Sequence, residues 1–68
     1  MVNANLFRAK MVLAGYSQRK LAEAMDMAEN TLGSKINGHG YFNTAQAVKL
    51  CELLHITDDS EKCQIFLA

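Results

Sequence analysis

A chain of 68 residues with seven basic and seven acidic side chains carries no formal net charge, and half of its residues are hydrophobic. That length allows one domain, residues 1–68, which buries only about 60% of the surface its unfolded chain exposes and is too short to enclose a catalytic pocket. Without proline, with three Phe and two Tyr as its aromatic residues, and with stretches rich in Ala, Leu and Met, the composition favours small helices over a sandwich or barrel.

No apolar run approaches the roughly 20 residues that span a bilayer, and the opening MVNANLFRAK lacks the continuous apolar centre of a signal peptide. A cytoplasmic protein with no membrane partner is expected, with Cys51 and Cys63 kept as thiols. The charge is unevenly spread. Residues 1–40 hold five cations against three carboxylates, whereas residues 41–68 hold two against four. One end of the molecule is therefore suited to face phosphates.

Five helices are predicted, which sets the fold class as all-α, a compact bundle. Helix 1 runs from about Asn5 to Ala14 with Phe7, Met11 and Ala14 on one stripe, and Gly15 ends it through a left-handed cap. Helix 2 follows Ser17, its N-cap, and turns Leu21, Ala22 and Met25 inward. Helix 3 is AENTLGSKING, residues 28–38, ending at Asn37-Gly38, and GHGYF after it is a loop. Helix 4 takes Asn43 as its cap, with Gln46 completing a capping box ahead of Ala47, Val48, Leu50, Cys51 and Leu54. Helix 5 runs from Asp59 or Ser60 to Leu67 and either closes the core or pairs subunits.

Helices 2 and 3 are joined by only Asp26 and Met27, or by these two with Ala28, and so short a connection forces a steep crossing, the helix-turn-helix geometry. At about 100° per residue from Ala28, Leu32 lies at about 40° and Ile36 at about 80°, so the apolar face centres on Leu32. On the same wheel Gly33 falls at about 140°, Asn37 at about 180°, Asn30 at about 200° and Ser34 at about 240°. The face opposite Leu32 is thus low, uncharged and able to hydrogen-bond. Glu29 and Lys35 stand at its edges.

Such a face suits a DNA groove. Asn pairs bidentately with the major-groove edge of adenine, a carboxylate accepts from cytosine N4, and Ser bonds to either kind of edge. Glu29, Asn30, Gly33 and Ser34 are thus the candidate base-reading residues, with Gly33 a gap in side-chain height that lets the backbone approach. Gln18, Arg19, Lys20, Lys35 and Asn37, near helix ends or edges, suit phosphate contacts, as does His39 in its glycine loop. The competing account of Gly33 is a packing contact, or a tolerated flaw that costs roughly 1 kcal/mol against Ala.

SQRKLAEAMDMAENTLGSKINGHG resembles the helix-turn-helix of the lambda-repressor-like family of small phage and bacterial regulators, the Cro and repressor type. The resemblance lies in Gln18 opening helix 2, Leu21-Ala22, Met25, Met27 in the turn, Leu32 and Asn37-Gly38, and AVKLCELLHI resembles the family's fourth helix. It implies a five-helix bundle binding a two-fold symmetric DNA operator as a homodimer, with the residue types at Gln18 and Asn37 touching phosphate and the positions of Glu29, Asn30, Gly33 and Ser34 facing bases. Two positions depart from the pattern: Asp26 stands where the turn often has Gly, and Lys35 where many members place a core residue.

Other chemistries find less support. His39, Cys51, His55 and Cys63 lack the spacing of a paired metal site, and no nucleophile is coupled to a base, so no metal, cofactor, small-molecule substrate or enzymatic activity is expected. With one domain there is no place for an effector, and control is expected through dimerisation. The rival reading is a protein-interaction module, an anti-repressor or antitoxin built on a degenerate helix-turn-helix, supported by the zero net charge and by Glu29.

Overall fold

The computed structural model describes residues 2–59. The described residues contain four helices and no strand: α1 (Ala4–Leu13), α2 (Gln18–Ala24), α3 (Glu29–Ile36) and α4 (Thr44–Leu53). The all-α class expected from the sequence is observed, and the count of five is corrected to four among the described residues. Apart from Asp59, the predicted fifth helix lies outside the described residues.

Local chemistry explains where the helices start. Asn3 caps α1 by accepting from the Leu6 N–H at 3.2 Å, and Ser17 caps α2 by accepting from the Lys20 N–H at 3.1 Å. Asn43 and Gln46 form the reciprocal capping box at α4: Asn43 Oδ1 accepts from the Gln46 N–H at 2.8 Å while Gln46 Oε1 accepts from the Asn43 N–H at 3.0 Å. Only α3 starts without a side-chain cap, since Ala28 occupies that position.

All four helices end alike. A residue with left-handed backbone follows each C-cap: Gly15 at φ 82°, Asp26 at 56°, Gly38 at 88° and His55 at 56°. The next N–H then reaches back to the helix: Tyr16 to the Met11 carbonyl, Met27 to Ala22, His39 to Ser34 and Ile56 to Cys51, at 2.8 to 3.0 Å. Asp and His are among the few side chains that tolerate this conformation, so two of the four stops sit at residues that do not read as breakers.

The same stops aim the chain into the core. Phe7, Leu21, Leu32, Ile36, Leu50 and Ile56 are the largest fully buried side chains, and among the described residues no polar side chain is buried. On α4 the inward stripe is Ala47, Leu50, Cys51 and Leu54, whereas Val48 is exposed because it lies one residue off the i, i+3, i+4, i+7 spacing. Ile56, turned inward by the left-handed His55, helps close the core just beyond α4. The α3–α4 loop is pinned by Phe42, whose ring stacks on Phe7 with centroids 5.9 Å apart and planes 8° from parallel.

Candidate nucleic-acid interface

Helices α2 and α3 pack against each other across the four residues Met25 to Ala28. Leu32 and Ile36 are 0% exposed, while Glu29, Asn30, Thr31, Ser34 and Asn37 are all exposed. The rotation worked out from the sequence is therefore the observed one for its two ends, buried and open. Thr31, which the wheel did not single out, also stands in the exposed row.

Gly33 departs from the prediction. It is buried, and a Cβ built on it would stand 2.7 Å from Gln18 Nε2 and 3.7 Å from the Gln18 amide carbon. Gly33 is therefore no gap in an open reading face shared with Asn30 and Ser34; it is the seat on which the Gln18 side chain rests. The reason is tertiary: the N-terminus of α2 covers that side of α3, which a wheel of α3 alone cannot show.

Gln18 is held on that seat from two sides. Its Nε2 donates to the Glu29 carbonyl at 3.5 Å, a long bond, and its Oε1 accepts from Arg8 Nη1 at 3.3 Å. The other arm of the same guanidinium donates from Nη2 to Asn37 Oδ1 at 3.0 Å. Arg8 of α1 thus joins the first residue of α2 to the C-cap of α3. Sequence reasoning missed it, because its partners lie 10 and 29 residues away and nothing local marks an arginine beside a buried phenylalanine.

Lys35 also receives a different place from the one predicted. It is half-buried, its Nζ donates to the Tyr41 carbonyl at 3.1 Å and to Gln46 Oε1 at 3.3 Å, and it lies 5.8 Å from the centroid of the Phe42 ring. Its ammonium is engaged in fastening the α3–α4 loop to α4 rather than held out for a phosphate. Ile36, next to it, is fully buried in the core.

The two other cations expected to meet phosphate are accessible. Arg19 and Lys20 are exposed at the start of α2, and Arg19 makes only a loose pair with Glu23 at 3.8 Å between side chains 80% and 70% exposed. Such a surface pair leaves Arg19 free to exchange partners. His39 is exposed one residue beyond Gly38, with its backbone N–H closing α3 and its imidazole outside. Cys51 is half-buried against the core, and Cys63 lies outside the described residues. Among the described residues no helix is long and apolar enough to cross a membrane.

Comparison with protein-family models, with curated proteins and with solved structures returned no match.

Proposed function

We propose that the chain is a sequence-specific DNA-binding transcriptional regulator whose α3 enters the major groove. The observation that carries this reading is the polarity of α3 itself. Leu32 and Ile36 are wholly buried, and the opposite side presents Asn30, Thr31 and Ser34, short hydrogen-bonding groups that suit base edges. Glu29 stands at the start of that row, where its carboxylate can accept from a cytosine amino group. Arg19 and Lys20 at the start of α2, the amides of Gln18 and Asn37 and the imidazole of His39 surround the row as phosphate contacts.

The resemblance of this pair of helices to Cro and repressor proteins supports two further parts of the reading: a homodimer on a two-fold symmetric operator, and a place of action in the cytoplasm, where bacterial DNA lies. Selection from random duplexes by the purified protein tests it. A two-fold consensus, with affinity falling steeply from low to moderate salt, is the expected result. No binding to any duplex at low salt would overturn the reading and leave the interaction module, which the exposed Glu29 carboxylate favours, in its place.

A further inference from the structure

Arg8 reaches Gln18 and Asn37 with separate nitrogens of one guanidinium. A guanidinium has five N–H donors and no acceptor, so the atom each amide turns towards it has to be oxygen. In a carboxamide the nitrogen sits on the other side of the carbon. Each oxygen held by Arg8 therefore fixes an NH2 group pointing away from it: at the first residue of α2 one N–H of that group meets the Glu29 carbonyl over a long 3.5 Å and the second is left to donate, and the other NH2 stands at the C-cap of α3.

That orientation matters because phosphate oxygens only accept. A Gln or Asn free to rotate presents its oxygen to a phosphate as readily as its nitrogen, and one of the two states repels. We propose that Arg8 is a positioning residue that sets Gln18 and Asn37 as paired phosphate donors at the two ends of the candidate reading surface. The inference rests on the DNA-binding reading above. Arg8 itself is half-buried between them and acts through their amides, while the burial of Gly33 beneath Gln18 keeps the first amide close to α3.

The test has two arms. In the free protein, Arg8→Met should shift the side-chain NH2 resonances of Gln18 and Asn37 and leave those of Asn30 in place; unchanged Gln18 and Asn37 signals would overturn the clamp. With DNA, Arg8→Met should lower affinity for all duplexes alike by about ten- to a hundredfold, the cost of ordering two released side chains at the moment of binding. In a chain already carrying Gln18→Ala and Asn37→Ala the same substitution should change affinity by less than about threefold.

A tenfold loss persisting in that background would show that Arg8 meets the phosphate directly, and would overturn the proposal. Arg8→Lys keeps the charge and loses the fork, so it should fall between wild type and Arg8→Met; affinity equal to wild type would mean that charge alone counts, and would overturn it too. Urea midpoints for each variant separate these losses from unfolding. If the wild-type protein binds no duplex, the DNA-binding reading fails and the phosphate role falls with it; if wild type binds and only the Arg8 arms fail, the inference alone is lost.

Discussion

Gly33→Ala separates the two accounts of that glycine by stability and binding together. Ala in a helix interior gains roughly 1 kcal/mol over Gly. Against this, the new methyl would stand 2.7 Å from Gln18 Nε2, too close for any real contact, so the amide has to leave its seat. The atom in the way is the far end of a flexible side chain, and the two bonds it makes here are long, 3.5 Å to the Glu29 carbonyl and 3.3 Å from Arg8. Their loss costs about 0.5 kcal/mol each at the weak end of the usual range, nearly cancelling the gain. Urea unfolding followed by helical circular dichroism should therefore place Gly33→Ala within about 0.5 kcal/mol of wild type.

When the same substitution is made in a chain carrying Gln18→Ala, nothing opposes the methyl and the full gain of roughly 1 kcal/mol should appear, or about 4–8 °C in Tm for a domain of this size. In the wild-type background, displacing Gln18 should also weaken binding to every duplex by about tenfold, one phosphate contact of about 1.4 kcal/mol. Equal gains in both backgrounds, with DNA binding unchanged, would mean that Gly33 does not seat Gln18.

Lys35→Met keeps the stem and removes the bonds to Tyr41 and Gln46, so it should cost about 1 kcal/mol in urea and speed amide exchange in the α3–α4 loop, while the salt slope of DNA binding stays that of wild type. Asn43→Ala opens the capping box and should cost about 1 kcal/mol, read from the same unfolding curves. Asp26→Gly relieves the left-handed strain at φ 56° and should raise stability by up to about 1 kcal/mol; a drop instead would show that the Asp side chain stabilises the turn. Asn30→Ala should cost about 1–3 kcal/mol on a selected operator and relax preference at one base pair, measured by titrating single-pair variants of that operator.

What could be read from the sequence was governed by short range. Ser17, and Asn43 with Gln46, act on backbone groups within three residues, and Gly15 and Gly38 act on their own φ, so the starts and stops they set were legible directly. The inward stripes of α1, α2 and α3 followed from periodicity, because a helix fixes the angle between neighbours whatever lies around it. Val48 shows the limit of reading by residue type: its hydrophobicity points it inward, and the helical angle turns it out.

The rest needed the fold. Gly33 meets Gln18 only because α2 lies across that side of α3, and Lys35 meets Tyr41 and Gln46 only because the loop folds back over it. Arg8 shares its guanidinium between residues 10 and 29 positions away, a separation at which the sequence carries no spacing signal. The sequence by itself determined where helices begin, which faces turn inward and that the outer side of α3 is polar, since each depends on neighbours a turn away at most. Which of those polar groups stand open, which are seated beneath another helix and which are held by Arg8 was decided by tertiary packing, because a long side chain is positioned by whatever element its tip can reach.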